Sequence, residues 1–428
     1  MLRQVSIPTP QVFSSRLIMT MTTDRPTGQG EKPQKSFLDM LYQRETREII
    51  FQVILVAALV VLFYTIISNA AANLRARNIA SGFGFLKNTA GFDISQTLVA
   101  YSALSSYGRA FVVGIYNTLV VAAIGIVLTT ILGFTVGIAR LSSNWLIAKL
   151  AQIYVEVVRN CPLLLQMFLW YFAVIKNLPD PLKRENGNVI STSYELPFGA
   201  LLNSRGLFTP KPEWLPGAQV VLLTLVLAIV ATFFLARWAR ARQMATGKTF
   251  PVLLTGLGLI IGLPLVTFFA LGQPVQFDYP ALGRFNLSGG WNMLPEFVAV
   301  IVALVFYTAS YIAEIVRSGI SGVSKGQKEA AMAMGLSKGQ TLRLVVVPQA
   351  MRLIIPPLTS QFLNLTKNSS LGGAVGFPDM TQVVGTINNQ TGQAIETILM
   401  LMAVYLSISL ITSAFMNWFN KRMALVER

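Results

Sequence analysis

The sequence lacks histidine altogether and contains a single cysteine, Cys161. Histidine is the commonest metal ligand and general base, so its absence argues against zinc chemistry and against a Cys–His nucleophile. One cysteine also excludes an intrachain disulfide. Charged residues make up only 12% of the chain, against about a quarter in ordinary soluble domains. The small charged fraction predicts a polytopic membrane protein, and we expect it to hold no catalytic constellation, metal or cofactor.

Hydrophobic residues, by contrast, form 53% of the 428 positions and cluster in long runs. A bilayer core needs about 20 mostly apolar residues per helix. We therefore predict an all-α polytopic membrane protein. The third run is short, although the amphipathic stretch 153–160 could extend it, and the seventh contains Pro356 and Pro357. The predicted spans, about eight in number, are residues 49–68, 112–138, 162–175, 218–236, 252–271, 298–315, 353–371 and 394–415.

The basic residues indicate the orientation of these spans. There are 34 Lys and Arg against 18 Asp and Glu. In a soluble protein that excess would suggest a nucleic acid partner, but here the positive-inside rule explains it, and we expect no nucleic acid partner. With both termini in the cytoplasm, 23 of the 34 basic residues lie in cytoplasmic segments. One short loop contributes Arg237, Arg240, Arg242 and Lys248. No cleavable signal peptide is visible, so the first span should remain as an anchor.

Segment 324–348 is polar and lies between two very apolar runs. Ser324 with Gln327, and Ser337 with Gln340, each fit a capping box. In such a box the serine hydroxyl accepts from the N3 amide and the glutamine side chain reaches back to the N-cap amide. The repeat predicts two short, well-capped helices in this segment.

Gly335 lies between the two boxes, where the C-terminus of a helix needs a left-handed residue. Pro348 marks where the second helix should end or kink. Three alanines, Ala330, Ala331 and Ala333, would leave one helix surface thin enough for close approach by a partner. The alternative is an amphipathic hairpin that rests on lipid, but such helices set a basic face against a bulky apolar one. The Ala-rich helix does not have such a pair of faces.

The same segment matches a known signature at Glu329-Ala330-Ala331, Gly335, Val345 and Val347-Pro348. It resembles the EAA motif of permease subunits in type I ABC importers, with valine replacing isoleucine and leucine. In that family the segment docks into a cleft of the ATPase subunit, and the acidic residue meets a basic surface there. The resemblance implies an ATPase-docking site made of Glu329, Ala330, Ala331 and Gly335, with the capping residues Ser324 and Ser337.

Further matches extend the resemblance to the polar amino-acid branch of this family. They are residues 116–119, 158–166, 307–317 and 367–371. The resemblance implies a permease domain over residues 112–418, with five core spans and an insert at about 177–293 that adds two helices. Before it come a cytoplasmic segment, 1–48, and an extra first helix with its periplasmic loop, 49–111; a cytoplasmic tail, 419–428, follows. The long chain is similar to the larger permease subunits of general L-amino-acid systems. Loop 176–216 is predicted to be irregular.

Polar residues within the spans are candidates for a solute path, because buried charge in a membrane is costly and usually faces protein or water. Such a path would offer carboxylates to the ammonium group of a zwitterion and amide and ammonium donors to its carboxylate. Alternatively, Glu314 pairs only with Arg317, Lys367 snorkels outward, and Asn and Ser link helices. The candidate residues are Gln166, Tyr311, Glu314, Asn364, Lys367, Asn368 and Ser369.

The resemblance also implies the partners. These are two ABC ATPase subunits, a second permease subunit of the same or a related kind, a periplasmic amino-acid-binding protein and an L-amino acid, in the lipid of a bacterial inner membrane. One alternative is an ion-coupled secondary amino-acid transporter, which would need midplane ion sites and internal repeats, neither of which is visible. The other is a membrane-anchored enzyme, for which no catalytic constellation exists.

Overall fold

The structure, a computed structural model, describes residues 44–76, 82–185, 188–283 and 286–423. The chain forms two compact units, Met1–Asn78 and Ile79–Arg428. In the first unit, helix α1 (Arg44–Ala76) contains an apolar stretch of span length with none of its window buried. The predicted segment 1–48 lies outside the described residues up to position 43, and the predicted tail does so after position 423.

The centre of the second unit is a parallel pair of helices, α2 (Tyr107–Ala139) and α8 (Pro295–Ser321). They approach closely because α2 presents glycine to α8. A Cβ atom at Gly133 would lie 2.6 Å from the side chain of Ile312. Small residues allow this kind of backbone approach between membrane helices. Helix α8 is accordingly buried over 61% of its apolar window.

Helix α11 (Val347–Asn368) packs on α8 and contains Pro356 and Pro357 in its interior. A 3-10 turn (Ser369–Val375), α12 (Met380–Thr391) and α13 (Ala394–Met423) follow. Helix α12 is held against α2, where Asn117 Nδ2 donates to the Pro378 carbonyl at 2.8 Å. The seventh predicted span is therefore present as a helix, since tertiary contacts tolerate its prolines.

The third predicted span departs from expectation. Helix α3 (Trp145–Asn160) does not continue straight into α4 (Leu163–Phe168), its π turn (Leu169–Val174) and its 3-10 turn (Ile175–Asn177). The two pieces meet at 106°. Pro162 begins the second piece, and the Gln166 side-chain amide donates at 2.9 Å to the carbonyls of Val158 and Cys161. The amphipathic stretch 153–160 thus makes a bent pair with the third span rather than a straight extension.

The insert contains a helical hairpin. Helix α5 (Ala218–Thr246) runs one way, and α6 (Val252–Leu257), a π turn (Gly258–Gly262) and α7 (Leu263–Ala270) return. Short strands flank the hairpin on both sides in the sequence. They are β1 (Leu182–Glu185), β2 (Asn188–Ser191), β3 (Tyr194–Leu196), β4 (Ala200–Asn203), β5 (Gly206–Thr209), β6 (Lys211–Trp214), β7 (Val275–Asp278), β8 (Ala281–Leu282), β9 (Leu287–Ser288) and β10 (Trp291–Met293).

The prediction of an irregular loop at 176–216 was therefore wrong. Strands β10, β5, β4 and β3 form a four-stranded antiparallel sheet in that order, and β6 pairs with β7. These strands are too short to show a period-2 pattern, and two of their partners come from beyond the hairpin. The pairs β6–β7 and β10–β5 join residues about 60 or more positions apart, which local composition does not reveal, whereas β3, β4 and β5 pair with their neighbours in the sequence.

The number of spans agrees with the prediction. Among the described residues, seven helices are long and apolar enough to cross a membrane, and the bent pair of α3 and α4 gives an eighth if it counts as one span. The fold is mainly helical, as predicted, with the strands confined to the insert.

Candidate functional site

The segment between α8 and α11 forms the predicted helix–Gly–helix. Helix α9 (Lys325–Ala333) is followed by Gly335 and by α10 (Lys338–Thr341). The second capping box is complete: Ser337 Oγ accepts from the Gln340 amide at 3.3 Å, and Gln340 Oε1 accepts from the Ser337 amide at 2.9 Å. Both orphan amides at the start of α10 are thus satisfied.

The first predicted box is only half formed. Ser324 Oγ accepts from the Gln327 amide at 3.4 Å, but the Gln327 side chain does not return to Ser324. It accepts instead from Gln349 Nε2 of α11 at 3.5 Å. Gln327 therefore ties α9 to the next span rather than to its own N-cap.

Gly335 ends α9 in a Schellman motif. Its amide donates to the Met332 carbonyl at 3.0 Å, and the Leu336 amide donates to the Ala331 carbonyl at 3.2 Å. These are the two bonds that define the motif. The φ of Gly335 is 84°, and a Cβ there would meet no atom within 4 Å. The requirement for glycine at this position thus comes from the backbone alone.

The second helix is predicted to end or kink at Pro348, and it does not end there. Helix α10 continues through a π turn (Leu342–Val346) into α11, and Pro348 lies in the first turn of α11. Pro348 has no amide N–H to donate to the preceding turn, and the π turn lies immediately before it. Helix α10 and the seventh span are therefore one continuous helix, which Gly335 separates from α9.

The alanine surface is divided between two faces. Ala331 is buried, whereas Glu329 and Ala330 are exposed and Met334 is 83% exposed. At the two ends of the segment, Val323 and Val346 belong to a buried cluster with Ile312 of α8 and Ile354 of α11. One face of α9 thus faces solvent while the segment's ends are embedded in the core.

A second polar region lies where α3 faces α8. A cavity of about 520 Å³ is lined by polar side chains of α2, α3 and α8. The Arg159 guanidinium lies 4.9 Å from the centre of the Tyr311 ring, and Tyr311 Oη is 3.1 Å from Tyr307 Oη. The charged and polar residues that line the cavity are Arg140, Glu156, Arg159, Asn160, Tyr311 and Glu314.

Glu314 is the most heavily bonded of these residues. It accepts from Arg317 Nη2 at 2.6 Å and from Arg140 Nη1, and Ser318 Oγ donates to it at 3.3 Å. The pairing with Arg317 was one of the interpretations left open by the sequence. Arg140 was missed, because 174 residues separate it from its partner. Glu314 also lines a neighbouring cavity of about 360 Å³ together with Leu353 and Pro357.

The other candidate path residues do not join this cavity within the described part of the chain. Gln166 is buried, and its side-chain amide donates to two backbone carbonyls at the bend between α3 and α4. Ser369 is buried and donates to the Thr366 carbonyl at 2.8 Å. Asn364 and Lys367 are exposed, and Asn368 is half-buried. The geometry therefore brings together only Tyr311 and Glu314 from the candidate set.

The residues that the sequence analysis missed are Arg140, Glu156, Arg159 and Asn160. Arg159 and Asn160 lie inside the matched run 158–166, so the motif itself was an available signal. No such signal marked Arg140 or Glu156. Among the described residues, no three His, Cys, Asp or Glu side chains cluster as a metal site would require.

Comparison with known proteins identifies the family of the chain. Residues 222–425 match the family described as "Binding-protein-dependent transport system inner membrane component". The chain is 54% identical over 393 residues to the general L-amino acid transport system permease protein AapQ of Rhizobium johnstonii, covering 92% of this chain and 96% of that protein. It belongs to the permease subunits of amino-acid ABC importers.

A second relative of this permease is the putative amino-acid ABC transporter permease protein YhdX of Escherichia coli, 48% identical over 383 residues, with 89% of this chain and 94% of that one covered. A crystal structure of an amino acid ABC transporter aligns with 74% of this chain and 95% of its own, at 20% identity and a TM-score of 0.43.

Family membership confirms the resemblance read from segment 324–348. The permease is a multi-span transport component that carries the EAA motif, and ATP is hydrolysed on a separate subunit. Importers of this family act with ATPase subunits and a binding protein in the inner membrane. The alternative of an ion-coupled transporter finds no support among the relatives.

Proposed function

We propose that this permease imports L-amino acids of several kinds, with its α9–α10 segment as the docking site for the ATPase subunit. The observation that carries the proposal is the rigid, outward-facing α9, capped by Ser324 and Gly335. Its exposed face offers Glu329 and Ala330, while Ala331 faces inward. The substrate class follows from the name of the relative AapQ, which shares 54% of its residues with this chain.

The buried ends of the segment explain how docking would move the spans. Val323 and Val346 pack into the cluster between α8 and α11, so a displacement of α9 reaches both spans directly. Two capped ends and a helix that continues from α10 into α11 leave little slack. Coupling requires that the ATPase interact differently with two conformations of the permease, and a stiff connection preserves that difference.

The solute path is proposed to pass between α3 and α8. The Arg159 guanidinium suits a carboxylate, and Glu156 is a carboxylate for an ammonium group. Glu314 already holds two arginines, so its role is to keep Arg140 and Arg317 in place. Asn364, Lys367 and Asn368 on α11, with Ser369 just after it, would form a further polar stretch of the path. Gln166 would act by holding the bend beside it.

The proposed assembly places both termini in the cytoplasm, on the side where 23 of the 34 basic residues lie. Two ATPase subunits would dock on the cytoplasmic α9 helices of this chain and a second permease subunit, of the same or a related kind. A periplasmic amino-acid-binding protein would deliver the solute. The permease domain would comprise 112–418, with residues 177–293 as its insert.

The experiment that tests this proposal combines docking with orientation. Glu329→Lys should release the ATPase subunit during affinity purification and abolish ATP-dependent uptake of labelled L-amino acids, because it puts a cation where a basic surface is expected. Glu195→Lys, which alters an exposed acid of β3, serves as the matched control and should retain both.

Orientation is measured separately. In a Cys161→Ala background, a cysteine at the exposed position 334 should react with an impermeant thiol reagent only when the cytoplasmic face is open to it. Labelling from the periplasmic side would overturn the docking site, and wild-type uptake by Glu329→Lys would do so as well.

A further inference from the structure

The hairpin of α5, α6 and α7 carries a basic patch at the turn between α5 and α6. Arg237, Arg240 and Arg242 lie in the last three turns of α5, and Lys248 follows Gly247. We call these four residues the arginine cluster. The sequence contains no Asp or Glu between positions 214 and 277. All four side chains are exposed, and none forms an ion pair within the described ranges.

The cluster lies at the depth of a lipid headgroup. Helix α5 has 29 residues, which corresponds to about 43 Å at 1.5 Å per residue. The hydrocarbon core is only about 30 Å thick. The uncharged stretch from Ala218 to Ala236 therefore fills the core, and the turns that begin at Arg237 project beyond it. Only 11% of the apolar window of α5 and 6% of that of the return helix are buried, so both helices present apolar flanks to acyl chains.

Aromatic rings hold the guanidinium groups at this level. The Arg242 guanidinium lies 5.3 Å from the centre of the Trp238 ring, and that of Arg237 lies 5.9 Å from Phe233. Trp238 in turn contacts Phe250 edge-on at 5.6 Å. Stacked guanidinium groups keep their N–H donors free for oxygen acceptors in the plane. Tryptophan also favours the headgroup level of a membrane.

A groove opens beside these rings. Between the end of α5 and the start of α6 lies a cavity of about 260 Å³. Arg240 and Gln243 line it from α5, and Phe250 closes it from the connecting loop. It therefore has a cationic donor, an amide donor and an apolar wall, with the acyl-facing flank of the hairpin directly below.

We propose that this groove binds the phosphate headgroup of an anionic phospholipid. The Arg240 guanidinium and the Gln243 amide donate to the phosphate oxygens, and the other cations of the arginine cluster attract the phosphate electrostatically. The acyl chains lie along α5 and α6. Complementary charge commits the proposal to an anionic lipid: there is no acid in the hairpin to offset four cations. The positive-inside rule accounts for the charges but requires neither the stacked rings nor the groove.

The test uses a single-tryptophan permease in which Trp145, Trp170, Trp214, Trp291 and Trp418 are replaced by Phe, leaving Trp238 as the reporter. It is reconstituted in phosphatidylcholine vesicles with increasing dibrominated phosphatidylglycerol, and then with dibrominated phosphatidylcholine in its place. Bromine quenches tryptophan only at contact. We expect phosphatidylglycerol to quench at a several-fold lower mole fraction, and raising the salt concentration to weaken that preference.

Substitutions then distinguish a specific headgroup-binding site from general electrostatic attraction of anionic lipid. Arg240→Gln should reduce the preference for phosphatidylglycerol about fivefold, the effect of one cation near a membrane surface. Arg240→Lys should restore only part of it, because a lysine cannot fill the groove as a planar fork. Lys211→Gln, which removes an exposed cation of β6, is the charge-matched control and should leave the preference unchanged.

Three results would overturn the proposal. Equal quenching by the two brominated lipids would show no headgroup preference. An Arg240→Lys variant indistinguishable from the parent would reduce the groove to general electrostatics. Loss of the ATPase subunit from the assembled complex in Arg240→Gln, with lipid quenching unchanged, would assign the arginine cluster to a protein partner. None of these readouts depends on which way the chain is inserted.

Discussion

Helices α8 and α5 are both long apolar spans, yet they lie in very different surroundings. Helix α8 is buried over 61% of its apolar window, whereas α5 is buried over 11%. The difference follows from their side chains and their neighbours. Helix α8 carries Tyr307, Tyr311 and Glu314 on one face, and glycines of α2 pack closely against it. Helix α5 carries Leu, Val and Phe, which suit lipid. Hydropathy detects a span, but polar and small residues determine which span becomes the core.

The largest expected effect comes from filling the contact between α2 and α8. Gly133→Leu should destabilise the protein by about 3 kcal/mol or more, because even its first carbon would lie 2.6 Å from Ile312. Thermal unfolding in detergent measures it. Gly262→Leu, in the π turn of the hairpin where a Cβ meets nothing within 4 Å, should unfold within about 0.5 kcal/mol of the parent. Equal losses in the two variants would erase the distinction between the regions.

A second effect concerns a buried carboxyl group of the core, for which the hairpin has no equivalent. Asp379 caps α12 through Oδ1, which accepts from the Gln382 amide at 2.9 Å, while its buried Oδ2 has no hydrogen-bond partner among the described residues. Burial raises the pKa of Asp379 from 3.8 to about 6. Since the folded state holds this proton more tightly than the unfolded state, stability should fall as pH rises from about 4 to about 6.

The cost amounts to about 3 kcal/mol once the pH exceeds both pKa values. Chemical denaturation at pH 4, 5, 6 and 7 measures the slope. Asp379→Asn should remove this component of the slope. At pH 7 the variant should unfold at a higher denaturant concentration than the parent. A parent slope that persists in Asp379→Asn would assign the pH dependence to other groups.

The third effect tests the charged face of α8. Glu314→Gln leaves the Arg140 and Arg317 guanidinium groups without their carboxylate, so we expect a loss of about 2 kcal/mol, less than for a fully buried pair. Arg237→Gln on the exposed end of α5 is the counterpart and should cost under about 0.5 kcal/mol in neutral detergent. If both cost the same, the Glu314 pairs add nothing to the core.

The smallest effect on stability compares two helix caps. Gly335 and Gly247 both have positive φ, 84° and 70°, and a Cβ at either would meet no atom within 4 Å. Replacing either with Ala should cost about 1 kcal/mol of left-handed strain. Uptake should nevertheless fall only for Gly335→Ala, because only that cap lies in the segment that we propose docks the ATPase subunit. A parallel fall in uptake for Gly247→Ala would contradict the division of roles between the two regions.

Sequence reasoning predicted the helices and the capped α9–α10 segment because their signals are local. The caps at Ser337 and Gly335 depend on residues within three or four positions, and each appears in the structure with the expected bonds. Hydrophobic run length likewise located the spans.

What sequence reasoning could not reach depends on distant pairing. The ion pair of Arg140 with Glu314 joins residues 174 positions apart, and β10 joins β5 across the whole hairpin. The bend between α3 and α4 was missed for a different reason. Gln166 caps two carbonyls there, a role that its position in an apolar run made look like solute contact.

The ladder between β6 and β7 has one more consequence. It pairs Trp214 with Val275, and the Leu215 amide donates to the Pro274 carbonyl at 2.9 Å. The chain therefore enters the hairpin and leaves it at neighbouring positions. Excising residues 216–273 and closing the gap with a tight turn would therefore leave β6 and β7 paired in the same register. Gain or loss of the whole hairpin would then require no change in the two strands that flank it.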